Sequence, residues 1–284
     1  MIPASFDYLA PSSVEEAVAA LAEHGDEAKV LAGGQSLLPI LRMRLNAPGV
    51  IVDLGRIAEL RGVSEDGDHV VIGAMTPYSE VLASAVVSTH AALLSKAIAT
   101  VADPQIRHRG TLGGAIAHAD PAGDLLAPVL ALDASLVVAG PSGRRTVPAA
   151  DFFRDLFTTA LAPDELLVEV RVPKHTGWRA HYEKFNRVAQ AWSMVAVAVT
   201  VRTEAGVIEE ARVALTNMGS TPIRASGVEA ALVGVQASAE SIAAAASHAA
   251  EGTNPPVDSN ADVEYRRHLA KVLTGRAIAA AAGA

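Results

Sequence analysis

The chain has no cysteine among its 284 residues. That excludes disulfides, zinc–thiolate sites and iron–sulfur clusters held by this chain alone. Aromatic residues make up only 4%, so apolar packing must rest on small and branched aliphatic side chains. Basic residues are in deficit: the formal net charge is −8 and no Lys/Arg block occurs. This argues against a nucleic-acid-binding or anionic-membrane surface. Long apolar runs are missing too. The longest, Met194 to Val201, is too short to span a bilayer and meets Arg202. The N-terminus lacks a basic segment followed by an apolar core, so no secretory signal is read and a cytoplasmic protein is expected. What is present is a globular composition, 50% hydrophobic and 19% charged. It suits one large or two moderate domains with a real core.

The stretch that organises the chain is Val30-Leu31-Ala32-Gly33-Gly34-Gln35-Ser36-Leu37-Leu38-Pro39. A strand-like run enters a glycine pair and leaves into a helix-like run with Pro in its first turn. Glycines let the backbone turn sharply and let another molecule approach its N–H groups. N–H groups at a helix start bind phosphate without a cation. A second copy follows at Thr111-Leu112-Gly113-Gly114-Ala115-Ile116. Either copy alone reads most simply as a turn. Together they suggest two loops holding one dinucleotide pyrophosphate.

Residues up to about 55 alternate strand and helix, which implies a small α/β subdomain. Ser13 and Glu16 resemble a capping box for a helix through Leu21. Further on, a hairpin is expected around Ser64–Asp68, then a helix with Thr76 as cap and Pro77 at its first position. A second hairpin turns at Gly140-Pro141-Ser142-Gly143, and Leu166 to Val172 is a strand closed by Pro173. Beyond a boundary near Pro173 to Trp178, Trp192 to Arg202 and Glu210 to Thr216 read as strands. Ala-rich helices and a C-terminal helix from Val263 to Ala282 come after them. Strands followed by helices suggest an α+β second domain.

Several chemistries fail on spacing. Neither glycine loop has G-x-G-x-x-G, and no Walker A pattern occurs. Gly140 to Gly143 is one residue short of a nucleophile elbow. His118, Asp120 and Asp124 cluster, but in a tight loop with no second pair, so no metal site is assigned.

At the two glycine loops the chain resembles the FAD-binding medium subunit of molybdenum hydroxylases, the group that includes aerobic carbon monoxide dehydrogenase and the flavin part of xanthine dehydrogenase. The resemblance runs on through Asp120-Pro121-x-x-Asp124, Pro163-Asp164-Glu165-Leu166-Leu167, Tyr182-x-Lys184-Phe185, Thr221-Pro222-x-Arg224 and Tyr265-Arg266-Arg267. It implies an α+β protein: an FAD-binding domain of the p-cresol-methylhydroxylase type over residues 1–175, with subdomains of about 1–55 and 56–175, then a C-terminal α+β domain over 176–284. It implies that Ala32, Gly33, Gly34, Gln35, Ser36 and Leu37, with Thr111, Gly113, Gly114 and Ala115, bind the FAD pyrophosphate and adjoining groups. Asp124 matches a carboxylate near the adenosine end. Val101 falls beside the flavin, and Leu167 and Lys184 match cofactor-contacting positions. Trp192 sits where relatives place a tyrosine by the isoalloxazine; ordinary core packing is its alternative. Two departures stand out: Ala115 replaces a frequent Asn, and Gln35 a variable His, Thr or Asn.

The function implied is electron transfer through FAD, with no residue acting as acid, base or nucleophile. Electrons come from a small [2Fe-2S] subunit beside a large molybdenum-cofactor subunit, in a dimer of heterotrimers, and leave to an external acceptor. Carbon monoxide is the leading substrate. Any membrane association is made through the complex. The rival readings are a self-contained flavin reductase or oxidase on the same fold, a subunit of a related aldehyde, xanthine or N-heterocycle dehydrogenase, and a non-catalytic nucleotide-binding subunit.

Overall fold

A computed structural model describes residues 2–284. The first unit comprises Asp7–Leu9 (β1), Val14–His24 (α1), Ala28–Leu31 (β2), Leu37–Met43 (α2) and Val50–Asp53 (β3). Its strands are parallel, in the order β1-β3-β2. Parallel strands need helical crossovers, which α1 and α2 supply. Helix α1 buries Val14, Ala17, Val18 and Leu21, the stripe that its helical period dictates. Ser13 caps it by accepting from the Glu16 N–H. The box is not closed on Ser13, because the Glu16 carboxylate takes both the N–H and the hydroxyl of Ser12.

The second unit comprises Val63–Asp66 (β4), His69–Gly73 (β5), Tyr78–Ala83 (α3), Ala85–His90 (α4), Ala92–Ala99 (α5), Pro104–Arg107 (α6), Leu112–His118 (α7), Leu126–Ala131 (α8), Ser135–Gly140 (β6), Gly143–Pro148 (β7), Ala149–Phe152 (α9), Phe153–Asp155 (β8), Thr158–Thr159 (β9) and Leu166–Pro173 (β10). Five strands form an antiparallel sheet, ordered β4-β5-β10-β6-β7. Its inner strands β6 and β10 are buried on both faces, which the period of two divides between two cores. Leu136, Val138, Val170 and Val172 meet the helices of this unit. Val137, Ala139, Leu166 and Val168 meet α1 and the first unit. A bulge between Leu167 and Glu169 shifts the register between those faces. Helix α3 starts at Tyr78, behind an extended Pro77. Thr76 is not its cap, because its hydroxyl accepts from the Gly62 N–H at 2.9 Å and donates to the Gly62 carbonyl at 3.1 Å.

The third unit comprises Arg179–Phe185 (β11), Val195–Glu204 (β12), Val207–Thr216 (β13), Ile223–Arg224 (β14), Ser226–Leu232 (α10), Ala239–Ala246 (α11) and Val263–Ala282 (α12). Its antiparallel sheet runs β11-β12-β13-β14. Strand β12 alternates Val and Ala and is buried on both faces. Val195, Val197, Val199 and Val201 pack with Leu269, Leu273, Ala277 and Ile278 of α12. Ala196 and Ala198 join the core of the second unit, among Ile98, Leu126 and Val129. Small side chains on that face let the sheet sit closely against α5 and α8. Carboxylates flank α8 at both ends and tie it to the third unit. Asp124 bonds Tyr182, Lys184 and Ser193, and Asp133 accepts from Arg212 at 3.0 Å and Arg224 at 2.6 Å. Strand β12 begins at Val195, three residues later than the apolar pattern suggests, so Trp192 and Ser193 lie in the β11–β12 loop. Among the described residues, no helix is long and apolar enough to cross a membrane.

Candidate functional site

Ala32-Gly33-Gly34-Gln35-Ser36 links β2 to α2, with Gly34 in the left-handed region at φ 77°. The N–H groups of residues 33 to 37 have no hydrogen-bond partner among the described residues; the next, on Leu38, is the first to close, onto the Gly34 carbonyl at 3.1 Å. Ser36 supplies no side-chain cap. Five consecutive donors at the positive end of a helix make an anion cradle.

The second loop lies directly against the first. A Cβ on Gly33 would stand 2.8 Å from the carbonyl carbon of Arg109 and 2.9 Å from the Cα of Gly110. A Cβ on Gly114 would stand 3.2 Å from that of Ala32. The N–H groups at the start of α7 are already paired, however. Leu112 donates to the Thr76 carbonyl at 3.2 Å and Gly113 to the Ala74 carbonyl at 2.9 Å. Gly114 donates to the Thr111 hydroxyl at 3.1 Å, and Ala115 to the Thr111 carbonyl at 3.2 Å. The two glycine pairs are therefore not equivalent. The first offers donors; the second brings the chain close, with Gly113 pressed on Ala74. At Gly33, Gly113 and Gly114 the missing Cβ is required by the chain's own packing, a cause that the sequence pattern does not reveal.

A second group of predicted residues assembles where the second and third units meet. Lys184 Nζ lies 2.7 Å from Asp124 Oδ2, with the two side chains 6% and 5% exposed. Asp124 Oδ1 accepts from the Tyr182 hydroxyl at 2.9 Å and the Ser193 hydroxyl at 2.8 Å. Lys184 also reaches the Thr100 carbonyl at 3.4 Å. A pocket of about 450 Å³ opens here, lined by Thr100, Ala102, His181, Tyr182, Lys184 and Asn186 among others. Val101, half-buried, packs on the core beside it and is held by Arg107 through its carbonyl at 2.7 Å. Tyr78 joins the two groups. Its ring lies 2.8 Å from the Cβ position of Gly110. Burial, with the Asp124 charge behind it, pushes its phenol well above the ordinary tyrosine range. Burial and Asp124 do the same to Tyr182.

Trp192 is 57% exposed, so core packing does not account for it. Its loop lines the pocket through Asn186 and Ala189, and Gln190 bonds Asp103 at 3.0 Å. Leu167 shares the buried core of Tyr78 and Tyr182 and does not line the pocket. It pairs with Val138 inside the sheet and is buried in the core of the second unit. Gln35 and Ser36 are half-exposed at the cradle rim. His118, Asp120 and Asp124 engage three different partners: the Phe157 ring at 5.2 Å, the Ala122 N–H at 2.9 Å, and Lys184. Tyr78, Ser193 and Asn217 are the participants that sequence reasoning did not single out, and Tyr182 entered only as part of the Tyr182-x-Lys184-Phe185 motif, with no role assigned. Nothing in their local pattern sets them apart from core or turn residues.

The donor cradle over residues 33–37, with the second loop against it, suits a phosphate group. Residues 4–175 match the family described as the FAD binding domain in molybdopterin dehydrogenase, and residues 180–281 match the CO dehydrogenase flavoprotein C-terminal domain. The chain belongs to the FAD-binding medium subunits of molybdenum hydroxylases, oxidoreductase subunits whose cofactor is FAD. It is 43% identical to the carbon monoxide dehydrogenase medium chain of Hydrogenophaga pseudoflava, over 99% of this chain and 98% of that one. It is 36% identical to the glyceraldehyde dehydrogenase medium chain of Sulfolobus acidocaldarius, over 98% of each. The fold superposes on a solved carbon monoxide dehydrogenase from Hydrogenophaga pseudoflava, one lacking the Mo-pyranopterin moiety, with a TM-score of 0.96, at 44% identity over 99% of this chain and 98% of that one.

Proposed function

We propose that this chain relays electrons through FAD within a three-subunit assembly. A small [2Fe-2S] subunit supplies them, a large molybdenum-cofactor subunit oxidises the substrate, and an external acceptor takes them up. Two such heterotrimers pair, and the assembly works in the cytoplasm. Carbon monoxide is the substrate favoured, since the relatives named for it share more identity than the glyceraldehyde enzyme does. Bound FAD supplies the step between two-electron and one-electron carriers.

The observation that carries this reading is the cradle: five consecutive N–H groups, of residues 33–37, with no hydrogen-bond partner among the described residues. Residues 1–175 then form the FAD-binding domain, split near residue 55, and 176–284 the C-terminal domain. Ala32 to Leu37, backed by Thr111, Gly113, Gly114 and Ala115, hold the pyrophosphate. Val101, Lys184 and Trp192 belong to the flavin end. Asp124, which the resemblance sets near the adenosine end, is assigned to the flavin end instead, because it bonds Lys184 and Ser193, the neighbour of Trp192. Leu167 supports that end from the core. These residues bind, orient and shield. The one buried carboxylate of the site is held by three hydrogen bonds from the third unit, which suits a positioning role.

With no cysteine this chain holds no iron–sulfur cluster of its own, so a cluster that reduces its flavin lies on another polypeptide. The test is stopped-flow mixing of the reduced iron–sulfur subunit with this chain loaded with FAD, followed at the flavin band. Bleaching by the partner, with no turnover of carbon monoxide by this chain and an artificial acceptor, is the expected result. Steady turnover by this chain alone would replace the relay with a self-contained flavoenzyme.

A further inference from the structure

The turn Asp120-Pro121-Ala122-Gly123-Asp124 touches the third unit more intimately than a surface turn needs to. Asp120 closes it by accepting from the Ala122 N–H at 2.9 Å. That leaves the Pro121 carbonyl free to accept from the Asn217 N–H at 2.9 Å. Asn217, held in the left-handed region at φ 62°, donates its side-chain amide to the Ser193 carbonyl at 2.8 Å. The Ser193 hydroxyl returns to Asp124 Oδ1 at 2.8 Å. Ser193 is thus gripped at both its carbonyl and its side chain, and it is 2% exposed. Trp192 is its immediate neighbour and is mostly outside.

The geometry points to Asp124 as the positioning residue of the flavin pocket: its carboxylate fixes the β11–β12 loop, and so the place of Trp192, through Ser193. A carboxylate accepts about four hydrogen bonds. Here Ser193, Tyr182 and Lys184 take three, all from the third unit. A neutral amide cannot take the place of this group. Its oxygen could serve two donors, but its NH2 would then face the Lys184 ammonium. The consequence for the flavin rests on the FAD placement proposed above; the anchoring of the loop does not.

The full chain has two tryptophans, Trp178 and Trp192. In a Trp178→Phe background, fluorescence reports Trp192 alone. Asp124→Asn is expected to lower the anisotropy of Trp192 and raise its quenching by acrylamide. Ser193→Ala should do the same while leaving the Asp124–Lys184 pair intact. Asp133→Asn unties the other end of α8 and should leave both readings at the parent values, which separates anchoring from general loosening between the units. Parent-like anisotropy in both Asp124→Asn and Ser193→Ala, with unchanged far-UV circular dichroism, overturns the inference. If Asp124→Asn does not fold, Ser193→Ala decides. Adding FAD to the Trp178→Phe parent should quench Trp192. Absence of quenching would count against the FAD placement, while a fall in anisotropy in the variants would still support the anchor.

Discussion

Gly33 is packed so tightly on Arg109 that a Cβ built on it would stand 2.8 Å from the Arg109 carbonyl carbon. The neighbour is backbone and cannot swing aside. Gly33→Ala should therefore part the two loops and lose FAD, even though alanine is the smallest possible change. Gly143 is the contrast. A Cβ there meets nothing within 4 Å, but φ is 106°. Gly143→Ala should cost about 1 kcal/mol through the backbone alone and keep FAD. Acid-released flavin per mole of chain and the melting temperature separate the two cases. Full flavin content in Gly33→Ala would mean that the loops need not abut.

Lys184 and Asp124 are both nearly inaccessible at 6% and 5% exposure, so solvent screens their interaction little. Lys184→Met leaves a buried carboxylate with only two hydroxyl donors. Losing one partner of such a pair costs about 3–5 kcal/mol. Lys184→Met combined with Asp124→Leu should recover part of that loss, because neither charge then stays uncompensated. Urea denaturation of the two variants gives the coupling; strict additivity would show that the ions are better hydrated than their burial indicates.

Stability should fall in two stages as pH drops. Burial holds His118 and His175 below the usual imidazole value of 6.5. The unfolded chain then binds protons that the folded chain refuses, so stability is lost as pH falls from about 6.5. Asp133 behaves as a depressed carboxylate: burial would raise it, but Arg224 and Arg212 outweigh that and hold it below 3.8. Its contribution is present above 3.8 and is lost as pH falls through its folded value. His175→Gln should flatten the first stage and leave the second. An unchanged first stage in that variant would assign the loss to His118 or to other groups.

Much of the fold was legible because it rests on period and punctuation. The Val/Ala alternation of β12, the apolar stripe of α1 and the turn at Gly140 to Gly143 each follow from local rules. The α12 limits, Val263 to Ala282, were readable as well. The misses share one cause: a distant partner overrode a local preference. Gly62 took the Thr76 hydroxyl away from its cap position, and Asp124 with Asn217 kept Ser193 out of the strand that its apolar neighbours suggest. The glycine loops were legible as a site, but their inequality was not. Whether an N–H at a helix start is free depends on Ala74 and Thr76, residues about forty positions before α7. Strand β11 escaped notice because His181, Glu183 and Lys184 blur its alternation: His181 and Glu183 pair with each other along the strand, and the partner of Lys184 is the distant Asp124.

Arg266 explains why Tyr265-Arg266-Arg267 stands out in the sequence. It is fully buried on α12, donating to the Met194 carbonyl and, at 2.8 Å, to Asp258 Oδ2. Met194 is the residue between Ser193 and the start of β12, so the guanidinium secures the strand side of the loop that Asp124 secures from the other unit. Arg266→Lys keeps the charge, but a single ammonium cannot reproduce a planar fork directed at two acceptors. It should cost about 2–3 kcal/mol, the penalty of leaving a buried acceptor without its charged donor. Arg267 is the milder comparison: it is half-exposed, pairs with Glu264 at 3.5 Å and donates to the Thr253 carbonyl at 3.1 Å. Arg267→Lys should cost about 1 kcal/mol or less, one ordinary hydrogen bond and a surface pair. Guanidinium denaturation of the two variants gives the comparison. Equal stability in Arg266→Lys and Arg267→Lys would show that the Met194 carbonyl is satisfied without the fork.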